Sequence, residues 1–146
     1  MYFEDLTKYC YERVTPLKQV VNVGWLERPN QFESGVVDPA IWQLLVEYFD
    51  VLTANQTRGY YECTFCSTAD AAPYLQVGAQ SVEFGAAELW IPDHHGLIFA
   101  VPDLVVHYMQ NHSYCPPKIF IEAVERLPVS TINWNSRRVA TELCRD

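Results

Sequence analysis

The sequence has no long apolar run. Its longest apolar stretches, LIFAV at residues 97–101 and IWQLLV at residues 41–46, fall far short of the ~20 residues that span a bilayer. The first ten residues, MYFEDLTKYC, lack the basic start and apolar core of a signal peptide. We therefore expect a cytoplasmic protein that does not enter a membrane.

Positive charge is also scarce. The chain has 10 Lys and Arg against 18 Asp and Glu, a formal net charge of −8. Its one adjacent basic pair, Arg137 and Arg138, lies near Glu142 and Asp146. Because phosphate binding needs clustered Lys and Arg, we expect no binding to nucleic acid or anionic membranes. An acidic surface suits a basic protein partner, although many soluble proteins have one without such a partner.

Several catalytic signatures are missing as well. The sequence contains no P-loop, no Gly-rich dinucleotide fingerprint, no G-x-S-x-G and no internal repeat. With 146 residues, of which 49% are hydrophobic and 14% aromatic, the chain is long and apolar enough for one ordered domain. We predict a single domain over residues 1–146, with an N-terminal arm (1–16) and a C-terminal extension (129–146).

Periodicity and turn residues predict an α+β fold. Helices are predicted over residues 39–52, with Asp38 as cap, and over residues 102–111 and 118–126. Strands are predicted over residues 19–26, 60–63, 74–77, 81–91 and 97–101, residues 54–59 are predicted as a polar turn, and the tail is left open between strand-then-helix and helix alone. These elements form a mainly antiparallel four- to five-stranded sheet with helices on one face.

Two short spacings predict a metal site. Cys63 and Cys66 are separated by two residues, and His107 and His112 by four. These are the ligand types and spacings of a structural Zn²⁺ site, although the 40 residues between the pairs far exceed the gap in a zinc finger. Because residues five apart on an ideal helix point about 140° apart, His112 must lie at or beyond the helix end. Such a site would clamp two distant parts of the fold.

Other interpretations of these residues stay open. Both cysteines could be buried thiols, and His107 could be a packed core residue. His94 or His95 could replace His112, although a pair in a turn is more typical of exposed residues. The remaining cysteines, Cys10, Cys115 and Cys144, have no ligand spacing and are predicted to be buried as small apolar residues.

Four blocks of sequence resemble an uncharacterised family of small bacterial proteins. They are NVGWL at residues 22–26, NQTRGYYECTFC at 55–66, GAAELWIP at 85–92 and AVPDLVVHYMQNHSYCPP at 100–117. The resemblance runs from residue 2 to about residue 124 and leaves out the tail after Pro128. It groups the two cysteines with the two histidines, but implies no activity because the family is a domain of unknown function.

Two functions follow from these observations. The first is a non-catalytic cytoplasmic binding domain stabilised by a structural Zn²⁺, for example an immunity-type protein that masks a basic protein partner. The alternative is a small zinc-dependent hydrolase in which Glu88 or Asp103 is the general base. A closed shell of four protein ligands would favour the first, and a shell with an open position would favour the second.

Overall fold

The described residues form one five-stranded sheet, a separate two-stranded hairpin and six short helices. A computed structural model describes residues 2–9, 17–56, 62–66, 74–77, 80–83 and 85–144. The strands are β1 (Lys8–Tyr9), β2 (Leu17–Asn22), β3 (Thr53–Gln56), β4 (Tyr74–Val77), β5 (Gln80–Glu83), β6 (Ala87–Pro92) and β7 (Ile98–Pro102). The helices are α1 (Pro39–Glu47), α2 (Phe49–Leu52), α3 (Val105–Asn111), α4 (Lys118–Glu125), α5 (Leu127–Ser130) and α6 (Ser136–Leu143). Within the described ranges, none of them has the length and apolar character needed to cross a bilayer.

The main sheet has the strand order β1-β2-β7-β6-β3. Three of its four pairings are antiparallel, and β2 pairs in parallel with β7. The parallel pair is possible because most of the chain lies between these two strands, which leaves ample length for a crossover. The prediction of a mainly antiparallel α+β sheet of four to five strands is therefore confirmed, and the sheet is mixed rather than purely antiparallel.

The larger core lies between one face of the sheet and helices α1, α3 and α4. Leu89 and Ile91 of β6 and Phe99 and Val101 of β7 face this side, because alternate residues of a strand point to the same face. The Phe120 ring of α4 packs edge-on against Phe99, with ring centroids 5.6 Å apart. Helix α1 begins as predicted, since the Asp38 side chain accepts a hydrogen bond from Ala40 N–H at 3.0 Å.

The opposite face of the sheet is covered by α6. Trp90 of β6 and Ala100 of β7 form a second core cluster with Ala140 of α6. The start of the helix is fixed by Ser136, whose hydroxyl donates a hydrogen bond to the Trp90 carbonyl at 2.6 Å. The prediction of helices on one face is therefore correct for α1, α3 and α4. It did not include α6, which covers the other face. The open question about the tail is resolved as two helices, α5 and α6.

Several predicted element boundaries were wrong, among them the start of α3, which lies at Val105 rather than at residue 102, and residues 62–63, which form no strand. Residues 54–59, predicted as a polar turn, begin with β3, which pairs with β6 at the sheet edge, where polar side chains are tolerated. The single strand predicted over residues 81–91 is two strands, β5 and β6, separated at Gly85. The helix predicted over residues 39–52 is interrupted at Tyr48, which separates α1 from α2.

Residues 2–9 of the predicted N-terminal arm pack on the body of the domain. Phe3 N–H donates to the Trp25 carbonyl at 3.2 Å, and Leu6 N–H donates to the Asn22 carbonyl at 2.7 Å. Strand β1 then pairs with β2. Residues 10–16 of the predicted arm, and residues 60–61 of the strand predicted over residues 60–63, lie outside the described residues.

Gly24 follows the end of β2, which comes at Asn22, earlier than predicted. Its φ of +79° lies in the left-handed region, and a Cβ placed on it would meet Val105 Cγ2 of α3 at 2.8 Å. A glycine within a predicted strand indicates either a bulge or a close backbone approach, and the structure shows the close approach.

Gly24→Ala should therefore destabilise the domain through both backbone strain and overpacking. Gly96 is a matched control, because its φ is +88° but nothing lies within 4 Å of the position that a Cβ would take there. We expect Gly96→Ala to cost roughly 1 kcal/mol of unfolding free energy, and Gly24→Ala roughly 2–4 kcal/mol because the clash adds to the strain. Urea denaturation measures both, and equal costs for the two variants would contradict the assigned clash.

Candidate metal centre

The two predicted pairs of ligands meet at one point. Cys63 and Cys66 lie on the turn formed by residues 62–66, which is closed by a hydrogen bond from Cys66 N–H to the Cys63 carbonyl at 3.4 Å. His107 lies within α3, and His112 is the residue that ends it, with its N–H bonded to the Tyr108 carbonyl at 3.0 Å. The prediction that His112 must lie at the helix end is confirmed. The break in helical geometry there allows both imidazoles to turn to the same side.

The four ligand atoms have the spacing of a tetrahedral metal site. All lie within 4.8 Å of one another. Cys66 Sγ is 3.2 Å from His107 Nε2 and 3.5 Å from His112 Nε2, Cys63 Sγ is 3.4 Å from His112 Nε2, and the two Nε2 atoms are 3.2 Å apart. Zinc–ligand bonds of ~2.3 Å to sulfur and ~2.0 Å to nitrogen predict edges of about 3.5 Å for S–N and about 3.3 Å for N–N in a tetrahedron. The cluster could therefore hold a metal ion without rearrangement.

Aromatic contacts hold the cysteine turn against the body of the domain. Phe65, between the two cysteines, packs edge-on against Phe32 at 5.3 Å and against Tyr108 at 6.0 Å between ring centroids. The guanidinium of Arg28 lies 5.8 Å from the Phe65 ring centroid, and Arg28 N–H donates to Thr64 Oγ1 at 3.0 Å. The turn is thus anchored by Phe65 and Thr64, and both sulfurs remain directed at α3.

Burial sets the protonation states of the cluster. Desolvation, together with the neighbouring His112, lowers the pKa of His107 to about 4, and desolvation also lowers the pKa of His112. Both imidazoles are therefore neutral at pH 7, the form that binds metal. Desolvation raises the pKa of the Cys63 thiol to about 11, so an ion must displace a proton from this sulfur when it binds.

Asn111 supports His107 from outside the cluster. Its side-chain amide lies 3.1 Å from His107 Nδ1, on the opposite side of the ring from the ligand atom Nε2. An imidazole that binds metal through Nε2 carries its proton on Nδ1, so Asn111 orients His107 in this role when the amide oxygen, rather than the amide nitrogen, faces Nδ1. Asn111 was not predicted as part of the site, although a spacing of four within a helix predicts that the two side chains are neighbours.

The other candidate residues lie outside this cluster. His94 and His95 are exposed in a turn and stack on each other with centroids 3.8 Å apart, so neither replaces His112. Cys115 and Cys144 are only partly buried, which corrects the prediction that they are core residues, and Cys10 lies outside the described residues.

The two candidate general bases are buried, and their carboxylates accept hydrogen bonds from other residues. Glu88 is 2% exposed and its carboxylate accepts hydrogen bonds from Tyr9 OH and Trp90 Nε1, both at 3.2 Å. Asp103 is 1% exposed and accepts a hydrogen bond from Gly85 N–H at 2.7 Å. Both carboxylates therefore have structural partners, and Asp103 connects the start of β6 to the segment before α3.

One family profile matches the chain. It describes a domain of unknown function, DUF7919, and it matches residues 1–125. The chain belongs to the DUF7919 family. The family resemblance noted in the sequence is confirmed. The matched region includes Cys63, Cys66, His107 and His112, and it ends before α5. No curated protein and no solved structure matches the chain.

Asp103 should make the stability of the DUF7919 domain pH-dependent. Desolvation raises its pKa from 3.8 to about 6, so the folded state holds this proton more tightly than the unfolded state. The stabilisation is complete below pH 4 and is lost as the pH rises through 6, a change on the order of 3 kcal/mol. In Asp103→Asn this contribution is absent.

The measurement is the difference in unfolding free energy between the parent protein and Asp103→Asn at several pH values from 4 to 7. We expect the parent to lose stability relative to the variant as the pH rises. Asp50→Asn, at an exposed position in α2, controls for the loss of one carboxyl. A difference that stays constant over this range would contradict the raised pKa.

Proposed function

We propose that the chain is a non-catalytic binding domain whose fold is stabilised by a structural Zn²⁺ ion bound by Cys63, Cys66, His107 and His112. The observation that carries the proposal is the spacing of the four ligand atoms, all within 4.8 Å of one another. Two thiolates and two imidazoles in a tetrahedral arrangement are typical of Zn²⁺. Four protein ligands leave no position for a reactive water, which supports a structural role.

The hydrolase alternative has less support. It needs a carboxylate that can take a proton from a metal-bound water. The Glu88 carboxylate instead contacts Tyr9 and Trp90, which belong to the core cluster on the α6 side of the sheet. The Asp103 carboxylate is bound to the backbone at Gly85. These contacts favour structural roles for both residues.

The net charge of −8 supports a basic protein as the binding partner. An immunity protein that masks a basic toxin is the specific form of this function predicted from the sequence, and it stays a prediction, as does the cytoplasmic location. Neither affects the test of the metal centre.

The metal centre is tested by elemental analysis of protein purified without added metal. We expect one zinc per chain in the parent protein, and no stoichiometric zinc in Cys66→Ser or His107→Ala. Structural zinc contributes on the order of 10 kcal/mol to folding in small domains, so both variants should melt at much lower temperature. Cys115→Ser and His95→Ala change the same residue types outside the cluster and should keep both zinc and melting temperature.

Cobalt substitution separates the structural and hydrolytic functions. A closed shell of two sulfurs and two nitrogens gives Co²⁺ the strong visible absorption of a tetrahedral thiolate site, and the spectrum should not change when azide is added. A spectrum that shifts with azide would indicate an open position and would favour the hydrolase. Parent protein that contains no zinc and melts at the same temperature as Cys66→Ser and His107→Ala would contradict the metal centre itself.

A further inference from the structure

A small pocket opens between residues 2–5 and residues 31–33. Its volume is about 290 Å³. Ligand pockets for drug-sized molecules occupy ~300–1,000 Å³, so this one lies at the lower limit of that range and is suited to a small ligand or an amino-acid side chain. Six of its lining residues are aromatic or acidic: Tyr2, Phe3, Phe32, Glu4, Asp5 and Glu33.

The acidic side of the pocket has a fixed carboxylate at its centre. Asp5 accepts hydrogen bonds from Gly24 N–H at 2.9 Å and from Tyr114 OH at 2.7 Å. Both donors are neutral. Burial raises the pKa of Asp5, the two hydrogen bonds partly offset this rise, and the neighbouring Glu4 adds to it. Within the described part of the chain, the pocket is lined by three acids and by no Lys, Arg or His. The Asp5 carboxyl is therefore held in place by two neutral donors, and no cationic side chain is among the described residues that line the pocket.

The aromatic side is equally well fixed. Phe3 packs edge-on against Trp25, with ring centroids 5.6 Å apart. Phe32 packs edge-on against Phe65 at 5.3 Å and against Tyr114 at 5.9 Å. Because the negative face of an aromatic ring attracts a cation, rings held beside carboxylates favour organic cations. A Ca²⁺ ion prefers six to eight oxygen ligands and gains nothing from rings.

We infer that this pocket binds an alkylammonium group, supplied either by a free amine or by a lysine side chain of a protein partner. The apolar part of the chain lies against the rings and the ammonium contacts the carboxylates. The inference rests on the binding role proposed above, and it assigns the chemistry of the ligand. The net charge of −8 concentrates such cations at the surface of the domain.

The metal centre is directly connected to the pocket wall. Phe65 lies between the two cysteine ligands and contacts Phe32 of the pocket, and Phe32 in turn contacts Tyr114, which binds Asp5. An ion that fixes the cysteine turn therefore also fixes one aromatic wall. Amine binding should be weaker in protein from which the metal has been removed.

The test is a titration of the zinc-loaded full chain, followed by changes in backbone amide NMR signals. The probes are n-butylammonium and N-acetyl-lysine methylamide, and the uncharged control is N-acetyl-norleucine methylamide. We expect both amines to shift the signals of residues 3–5 and 31–33, and the norleucine compound not to do so. Tighter binding of n-butylammonium supports a free amine, and tighter binding of the lysine compound supports a protein side chain.

Variants of the exposed Glu33 and of the partly buried Phe32 make the test specific. Glu33→Gln removes one carboxylate without touching a buried contact, and we expect it to weaken amine binding by about threefold to tenfold. Phe32→Leu removes the ring and should weaken it by a similar factor. Glu125→Gln, at an exposed position on α4 outside the pocket lining, is the matched charge control and should bind like the parent.

Three results would overturn the inference: no shift with either amine, an equal shift with the norleucine compound, or binding of Ca²⁺ without binding of amines. Its failure is distinguishable from failure of the metal centre. Full zinc content with a metal-dependent melting temperature, but no amine binding, rejects the pocket alone. Amine binding to a parent protein that contains no zinc rejects the metal centre alone.

Discussion

A cluster of two cysteines and two histidines joins two segments that are far apart in the sequence. The turn at residues 62–66 and the end of α3 are joined where Cys63 and Cys66 meet His107 and His112. The turn belongs to no strand or helix of the structure, so its position follows from the ligand cluster and from the contacts of Thr64 and Phe65. Closing a loop of some 40 residues costs conformational entropy, and bonds to one ion can offset this cost.

The four clustered residues could be predicted from the sequence because the spacing within each pair is set by local geometry. Two cysteines on a turn and two histidines around a helix end are constrained by reach alone, and the need for His112 to leave the helix follows from the 3.6-residue repeat. The start of α1 at Asp38 was predictable for the same reason, because a cap is formed by neighbouring residues.

Features decided by distant contacts could not be predicted in this way. The residues of β3 are polar at its end, and they form a strand only because the edge of β6 is available for pairing. Strand β2 ends at Asn22, and the approach of α3 to the backbone at Gly24 is a contact between segments far apart in the sequence. The pocket could not be predicted from the sequence either, because it lies between residues 2–5 and residues 31–33, which are held together through Asp5, Gly24 and Tyr114.

The two faces of the sheet have different relations to the metal centre. The DUF7919 match covers residues 1–125, which contain the ligands and nearly all of the larger core. Helix α6 lies beyond the match and buries Trp90 and Ala100 on the other face, where Ser136 binds the Trp90 carbonyl. Cys63 and Phe65 pack against the larger core alone. An ion bound at the cluster would act directly on the α1, α3 and α4 side, whereas α6 packs on the opposite face of the sheet.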